Sequence, residues 1–560
     1  MRSSSWAGSL PSIPGTVARL ALCLLAALVS PSVLAAALDV GVSSVRSQHF
    51  GHDSVAGFLA ERDDRFAEAL AVGDFNGDGA DDLATGVPGD NGISDAELAN
   101  CGAVILRFGI PGSGLIPGVD DFFLNQLFPG APDPAEAGDE FGAALTACDF
   151  DNDGFDDLAV GIPLEDVVAG EIDAGAVDIF YGSFGGPPPT AGQHWTQNSA
   201  GVPGDAGEIH HFGASLACGD FDADGFADLA VGIPGQDATG SGLHAGAVEI
   251  LYGSATGLGS ARSALFEQNS PGVDGTGEGL DFFGSALATG DFNGDGFDDL
   301  AVGVPGEDNP GVGVPGADLQ GRGAVAVLFG SGVGIAAAGN LVRTESELGG
   351  TSELGDRLGS ALAAGDFDGD GFADLAVGIS GEDLSGPLQV DSGQLVAIYG
   401  AASGFAFART QFWTEDGALG AGESEPTDRF GFALVTGDFD ADGRDDLAIG
   451  HPGEYDVVAG DGAVTVMSGS ANGLSAARLR SFASGQAGVP GLPNLPERRL
   501  GHALASGDFD GDGFADLVAG APREDQEEIV NVGAEIVLYG ALFADGFDGS
   551  TSGFWTPTGE

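Results

Sequence analysis

The stretch Asp149-Phe150-Asp151-Asn152-Asp153-Gly154-Phe155-Asp156-Asp157-Leu158 is one of seven copies of a single acidic loop. The copies begin at Asp74, Asp149, Asp220, Asp291, Asp366, Asp438 and Asp508, so that neighbouring copies lie 70 to 75 residues apart. A nearly constant period that fills most of a chain predicts a repeat architecture, in which each unit packs against its neighbours.

Within each copy, positions 1, 3, 5 and 9 are Asp or Asn and position 6 is always Gly. This spacing resembles the front of an EF-hand loop, where side chains at positions 1, 3 and 5 and a backbone carbonyl at position 7 surround Ca²⁺. Position 8 is Ala in three copies, which excludes it as an obligatory ligand. A simple Asp-Gly turn is the alternative. Seven copies in register disfavour it, because clustered carboxylates repel each other unless a cation joins them.

The sequence therefore predicts up to seven Ca²⁺ sites, with side-chain ligands at positions 1, 3, 5 and 9 and a backbone carbonyl at position 7. The predicted ligands are Asp74, Asn76, Asp78, Ala80, Asp82, Asp149, Asp151, Asp153, Phe155, Asp157, Asp220, Asp222, Asp224, Phe226, Asp228, Asp291, Asn293, Asp295, Phe297, Asp299, Asp366, Asp368, Asp370, Phe372, Asp374, Asp438, Asp440, Asp442, Arg444, Asp446, Asp508, Asp510, Asp512, Phe514 and Asp516.

The charge of the chain agrees with a cation-binding role. The 560 residues contain 85 acids and 18 basic residues, all of them Arg, for a formal net charge of −67. Such a surface repels nucleic acid and anionic lipid, so we expect no nucleic-acid partner. Halophilic adaptation also produces excess acid, but it does not explain the register of the acids. Disorder is disfavoured because 43% of the residues are hydrophobic.

The N-terminus has the features of an export signal. Arg2 and Arg19 precede the apolar run 20–29, and small residues follow at 35–37. We expect residues 1–37 to be a signal peptide, which makes the mature chain secreted, extracellular or attached to a cell surface. The apolar run is too short for a membrane span, so no transmembrane anchor is expected in the mature chain. We also expect a monomer.

The flanks of each acidic loop repeat as well. In the second copy, Phe141-Gly142 and an apolar run precede the loop, Asp157 to Pro163 follows it, and Gly175 to Gly182 comes after a variable connection. These short apolar runs, bounded by Gly and Pro, predict strands, the first of which is expected to begin at the Phe. A weaker fourth strand, such as Gln193 to Asn198, completes the unit. Four strands per repeat, arranged radially, predict an all-β seven-bladed propeller.

The order Phe-Gly, acidic loop, Gly-x-Pro and Gly-Ala-Val resembles FG-GAP repeats, the units of the integrin α-subunit N-terminal propeller. The resemblance covers roughly residues 47–540 and implies a propeller at 38–540 followed by a tail at 541–560. It differs from integrins, where only some blades keep the calcium loop, and Ser380 replaces the Pro of the fifth copy. The segment from Gln48 to Gly57 resembles a fourth strand, which predicts that it completes the last blade and closes the ring.

The resemblance implies a calcium-binding module for an extracellular protein or glycan ligand, in the manner of cell adhesion, and not an enzyme. A lectin of the same propeller type is one alternative. An extracellular hydrolase or lyase that uses the propeller as a scaffold is the other, because FG-GAP repeats accompany such domains. The chain contains no G-x-S-x-G, H-E-x-x-H or Gly-rich phosphate loop.

Two expectations concern the face opposite the acidic loops. Cys101 begins a third strand near that face, whereas Cys148 and Cys218 precede acidic loops, so Cys101 should bridge neither of them. The variable connections lie on the same face, and variable loops on a repeated scaffold usually carry recognition. The residues expected on or near the binding face are His210, His211, Trp195, Arg322, Tyr455 and Arg523.

Overall fold

The computed structural model describes residues 47–51, 61–91, 99–116, 121–127, 131–167, 171–188, 192–237, 243–308, 321–384, 390–419, 424–454, 461–483, 498–525 and 530–540. These residues form seven four-stranded antiparallel sheets, which are the blades of a propeller. The prediction of an all-β seven-bladed propeller is confirmed. No helix among the described residues has the length and apolar character needed to cross a membrane. The predicted signal peptide at 1–37 and the tail at 541–560 lie outside the described residues.

The strands of the first four blades follow chain order. Blade 1 contains β2 (Leu70–Gly73), β3 (Asp82–Val87), β4 (Ala103–Arg107) and β5 (Phe122–Leu124). Blade 2 contains β6 (Ala144–Cys148), β7 (Asp157–Ile162), β8 (Ala176–Phe180) and β9 (Gln193–Trp195). Blade 3 contains β10 (Ser215–Gly219), β11 (Asp228–Ile233), β12 (Ala247–Tyr252) and β13 (Gly259–Phe266). Blade 4 contains β14 (Leu287–Gly290), β15 (Asp299–Val304), β16 (Ala324–Phe329) and β17 (Ala336–Thr344).

Two of the last three blades depart from this simple order, because blade 5 has an additional ribbon and blade 7 takes its outer strand from the N-terminal side of the chain. Blade 5 contains β18 (Leu358–Gly365), β19 (Asp374–Ile379), β20 (Gln394–Ile398) and β23 (Gln411–Trp413), and a small ribbon of β21 (Gly400–Ala401) and β22 (Gly404–Phe405) comes before β23. Blade 6 contains β24 (Ala433–Gly437), β25 (Asp446–His451), β26 (Ala463–Ser468) and β27 (Ser475–Ala483). Blade 7 contains β28 (Leu504–Gly507), β29 (Asp516–Ala521), β30 (Ala534–Leu538) and, as its outer strand, β1 (Ser47–Gly51). The short helices are α1 (Glu345–Leu348), α2 (Glu415–Ala418) and a 3₁₀ turn (Phe407–Arg409).

The first strands of the blades contact each other around a closed ring. Each first strand lies beside the first strand of the next blade, and β28 of blade 7 lies beside β2 of blade 1. The outer strand β1 pairs antiparallel with β30, with His49 opposite Ile536. The second strands are buried along their whole length, because a blade packs on each face of them.

The Phe-Gly pairs join neighbouring blades. The Phe or Leu of each pair makes a parallel bridge to a Gly that precedes the third strand of the preceding blade, as Phe212 does to Gly175. Gly175 has φ +88°, and a Cβ there would lie 2.4 Å from the backbone N and O of Phe212. Only Gly therefore fits at this crossing.

The prediction that the first strand starts at the Phe is wrong in six of the seven blades. In blade 2 that strand begins at Ala144, three residues after Phe141. Glu140 and Gly142 on either side of Phe141 both have positive φ, which interrupts the extended backbone, and Phe141 bridges to Gly102 of the preceding blade. The same interruption occurs in blade 5, but there Leu358 also pairs with Ile379 across a register shift. Only blade 5, where the strand begins at Leu358, matches the prediction.

The hydrophobic core is divided among the spaces between blades. One cluster, for example, combines Val248 and Ile250 of blade 3 with Val302 and Leu328 of blade 4. Neighbouring blades thus share most of the core, although a smaller cluster that contains Val87, Ala103 and Ile105 lies within blade 1.

The cysteines agree with the sequence prediction. Cys148 and Cys218, on the first strands of blades 2 and 3, form a disulfide with a Cα–Cα distance of 6.4 Å. Cys101 is a buried free thiol, and burial raises its pKa to about 12. The prediction that Cys101 bridges neither of the other two is confirmed.

Candidate metal sites

Each acidic loop connects the first and second strands of its blade, so all seven loops lie on one face of the propeller. In blades 2, 3 and 5, carboxylate oxygens from positions 1, 3 and 9 lie within 4.8 Å of one another. In blade 2 these residues are Asp149, Asp151 and Asp157. The acids that the sequence aligned in register are therefore also brought together in space.

Backbone hydrogen bonds fix the first acid of each loop. Oδ1 of Asp149 accepts from the backbone N of Asp153 at 3.1 Å, and its Oδ2 accepts from Gly154 at 2.9 Å. At position 5, Asp153 Oδ1 accepts from the N of Phe155 at 3.2 Å. The backbone of the loop therefore points its N–H groups at the carboxylates of positions 1 and 5. Gly154 has φ +93°, which explains why position 6 is Gly in every copy.

The acid at position 9 is the most buried of the loop. Asp157 is 0% exposed, and its oxygens accept from the N of Gly182 at 2.8 Å and of Phe150 at 2.9 Å. Burial, reinforced by the neighbouring acids, raises the pKa of all seven position-9 carboxyls to about 7 or about 8. Without a cation these carboxyls resist ionisation beside the other acids of the loop, and a bound cation would favour their charged form.

Position 3 has two kinds of surroundings. In blades 3, 5 and 6 an Arg from the outer part of the same blade pairs with it: Arg262 with Asp222, Arg409 with Asp368 at 2.5 Å, and Arg478 with Asp440 at 2.7 Å. In blade 2, by contrast, Oδ1 of Asp151 is buried without a hydrogen-bond partner.

Arg262 and Arg409 also lie over the rings of Tyr252 and Tyr399, at 4.3 and 4.7 Å. The stacking limits the freedom of the two guanidinium groups. The loops of blades 3 and 5 thus contain a built-in counter-charge that the loop of blade 2 lacks.

The residue at position 8, which the sequence excluded as an obligatory ligand, forms a hydrogen bond between neighbouring loops where it is Asp. Oδ2 of Asp156 in blade 2 accepts from the backbone N of Asp74 in blade 1 at 2.9 Å. The same contact joins Asp298 to Asp220, Asp445 to Asp366 and Asp81 to Asp508. Sequence reasoning missed this role. The signal for it was the distribution of residues at position 8. Asp occurs there in blades 1, 2, 4 and 6, and each of these Asp residues contacts the preceding blade, whereas Ala occurs in blades 3, 5 and 7.

The donor set fits a hard divalent cation. Each loop offers carboxylate or amide oxygens at positions 1, 3, 5 and 9, and oxygen ligands on a flexible loop are what Ca²⁺ prefers. The residues at position 7 vary in side chain from Ala to Phe to Arg, which suits a backbone role. In blade 1 the Nδ2 of Asn76 donates to both oxygens of Asp82, at 3.1 and 3.0 Å, so the amide already lies against the position-9 acid.

The residues expected on the opposite face differ in exposure. Arg523 is exposed, and His211, Trp195 and Arg322 are half-buried. His210 is buried at 7% exposure, with Nδ1 2.9 Å from Oε1 of Gln197, so it is a packing residue and not a surface contact. Tyr455 lies outside the described residues.

The FG-GAP repeat family model matches this chain seven times, over residues 66–99, 141–180, 212–250, 283–328, 358–399, 430–467 and 500–537. The chain is an FG-GAP repeat protein. Each match begins at the Phe or Leu that bridges two blades and continues through the acidic loop, and all but the first, which stops at residue 99, extend into the third strand. Integrin alpha-PS2 of Drosophila melanogaster is 31% identical over 252 residues, which is 44% of this chain and 16% of that protein.

The phosphatidylinositol-glycan-specific phospholipase D of Homo sapiens is 34% identical over 166 residues, 30% of this FG-GAP chain and 18% of that protein. The chain thus spans less than a fifth of the length of either relative. Among solved structures, the Dos1 propeller covers 88% of this chain, and this chain covers 94% of it, with a TM-score of 0.40 and 11% identity. That likeness is too weak to support a functional conclusion.

Proposed function

We propose that this FG-GAP chain is a secreted, calcium-binding propeller that acts as a binding module of the adhesion type. The observation that carries the proposal is the convergence of the acids at positions 1, 3 and 9, with a buried position-9 carboxyl in every blade. Seven bound ions would fix the loops that join the first and second strands, and so hold the ring rigid from one face. Residues 1–37 supply the export signal.

The face opposite the acidic loops is the better candidate for ligand binding. There the connections between second and third strands differ in length and content, as 88–102 and 305–323 illustrate. Loops that vary on a constant scaffold are typical recognition surfaces. The ligand class we propose is an extracellular protein, and the local similarity to an integrin α chain supports this choice.

Two other functions have to be tested alongside protein binding. A lectin would bind glycans on an array, and an enzyme would turn over substrate in a panel of hydrolase and lyase assays. The similarity to a phospholipase D favours the second possibility, but it covers only 18% of that enzyme, and so it is weak support for the enzyme's activity in this chain.

The experiment is a binding screen of the purified chain against extracellular matrix proteins and a glycan array, with and without Ca²⁺. We expect a protein ligand whose binding is abolished when the connection 308–322 is replaced by the shorter 237–245 of blade 3, an exchange that keeps the buried Glu307 and the bridging Gly323. The melting curve should be unchanged by the exchange. Glycan binding alone, substrate turnover above a boiled control, or binding that responds only to changes on the acidic-loop face would contradict the proposal.

A further inference from the structure

A second set of buried polar side chains lies at the opposite face, where the end of one blade meets the next. Each set combines a residue after a fourth strand, a residue two positions before the Phe-Gly pair, and a residue three positions after a second strand. Between blades 4 and 5 these are Glu345, Asp356 and Glu382. We call this group the 4–5 junction.

The three acids of the 4–5 junction are almost completely removed from solvent. Glu345 and Asp356 are 1% exposed and Glu382 is 8% exposed, and one oxygen from each lies within 4.8 Å of the others. Oε2 of Glu345, Oδ1 of Asp356 and Oε2 of Glu382 are buried and accept no hydrogen bond from the described residues. Backbone groups donate to two of the other oxygens: Thr351 N donates to Glu345 Oε1 at 3.0 Å, and Glu353 N donates to Asp356 Oδ2. The carboxyls of Glu345 and Asp356 also contact each other, and they can share a hydrogen bond when one of them is protonated.

At two other junctions, Gln side chains at these positions donate hydrogen bonds within the group. Between blades 2 and 3, the corresponding residues are Gln197, His210 and Gln236, which are neutral and bonded to each other. Nε2 of Gln197 donates to Gln236 Oε1 at 2.7 Å, and Nδ1 of His210 lies 2.9 Å from Gln197 Oε1. Between blades 3 and 4, Gln268 donates to Glu307 at 2.6 Å. A Gln at the first position therefore supplies a donor that Glu345 cannot supply.

The junction between blades 5 and 6, here the 5–6 junction, supplies its own cation. It has the acids Glu415, Asp428 and Glu454 at the three positions, and His451 replaces the aliphatic residue that ends the second strand in other blades. Nδ1 of His451 lies 3.1 Å from Glu415 and 3.4 Å from Glu454. In the 4–5 junction the same place is held by Ile379. No described Arg, His or Lys pairs with its three acids.

We propose that the 4–5 junction binds one divalent cation of the Ca²⁺ class through Glu345, Asp356 and Glu382. Buried charges in proteins are paired or bind metals, and three carboxylates with inward unpartnered oxygens offer the hard oxygen ligands that such a cation prefers. The ion would join the segment that leads into blade 5 to the loop after β19, on the face opposite the acidic loops. This site is independent of the acidic loops, so it stands even if those loops bind nothing.

The test replaces two of the acids by the amides found at the same positions between blades 2 and 3, Gln197 and Gln236. The variant Glu345→Gln with Glu382→Gln and the unmodified chain are saturated with Ca²⁺ and their ions are counted by native mass spectrometry. We expect one ion fewer in the variant. We also expect a higher melting temperature than that of the unmodified chain in EDTA, because repulsion between the acids is removed. The matched control, Glu415→Gln with Glu454→Gln, should leave the ion count unchanged because His451 already balances that junction.

A second variant guards against misfolding of the first. Ile379→His places an imidazole where His451 stands in the 5–6 junction, and it should also remove one ion. An unchanged count in a folded variant of either kind overturns the proposal, and so does loss of an ion from the control pair. Loss of the acidic-loop ions would show itself separately, as a change of count on Asp157→Ala.

Discussion

Nδ1 of His451 lies 3.1 Å from Oε1 of Glu415 in the 5–6 junction, and each side chain is only 1% exposed. Nε2 of the same ring lies 3.0 Å from Oγ1 of Thr465, so both ring nitrogens have partners. The imidazole is thus placed as a buried cation between two blades. This gives the junction a stability that depends on pH.

The first prediction concerns this pair. Burial alone would lower the pKa of His451, but the carboxylates of Glu415 and Glu454 raise it to about 10. A folded-state pKa above the unfolded value of about 6.5 means that the contribution is complete below about pH 6.5 and is lost as pH rises toward 10. His451→Gln should therefore cost about 3–5 kcal/mol at pH 6 in EDTA, and less at pH 9.5. A cost that does not change between these pH values would contradict the charged pair.

The second prediction compares two adjacent acids in one loop. Asp157→Ala removes the buried carboxylate that accepts from Gly182 and Phe150, and it should eliminate one bound Ca²⁺ and lower the melting temperature in Ca²⁺. Asp156→Ala removes only the contact to Asp74 N and copies what three other blades contain. It should keep the ion count and cost about 1 kcal/mol. Equal ion counts for the two variants would show that position 9 is not a ligand.

The third prediction concerns the Arg at position 3. Arg262 pairs with Asp222 in blade 3, so without metal it is the local counter-charge of that loop. Arg262→Gln should therefore destabilise the protein more in EDTA than in Ca²⁺, by up to about 1 kcal/mol because the side chain is partly exposed. The comparison needs melting curves of both proteins in both buffers. A variant whose loss is the same in the two buffers would argue against this role.

The fourth prediction concerns the disulfide. The bridge between Cys148 and Cys218 closes a loop of about 70 residues, so Cys148→Ser with Cys218→Ser should cost about 4 kcal/mol. Thiol counting checks the pairing on the chain from residue 38 onward. No thiol should react in the folded state, and one, Cys101, should react after unfolding without reductant. Three reactive thiols on unfolding would mean that the bridge does not form.

Much of the fold could be predicted from the sequence because the repeat constrains it seven times. The period set the number of blades, and Gly at position 6 together with Asp at position 9 identified the loops. The start of the first strand was mispredicted because Phe-Gly resembles a strand onset, whereas its Phe or Leu bridges to the preceding blade in every copy and joins the strand of its own blade only at Leu358. Local secondary-structure propensities carry no information about such a contact between blades.

The junction acids escaped sequence reasoning for a different reason. Glu345, Asp356 and Glu382 belong to three different segments of the repeat and form no compact motif, although Asp356 and Glu382 keep the 26-residue spacing that Asp428 and Glu454 also have. A weaker signal existed: Asp precedes the Phe-Gly position by two residues in five of the seven copies. That regularity becomes informative only when the blades are placed side by side.

The most direct test of the central claim is the number of Ca²⁺ ions bound per chain, measured by elemental analysis after equilibration and paired with melting curves in Ca²⁺ and in EDTA. We predict one ion in each of the seven loops. We also predict a strongly Ca²⁺-dependent melting temperature, because an ion that binds only the folded state contributes about 2.7 kcal/mol per site at a hundredfold excess over Kd. Fewer than about three ions per chain, together with a melting temperature that EDTA leaves unchanged, would contradict the central claim.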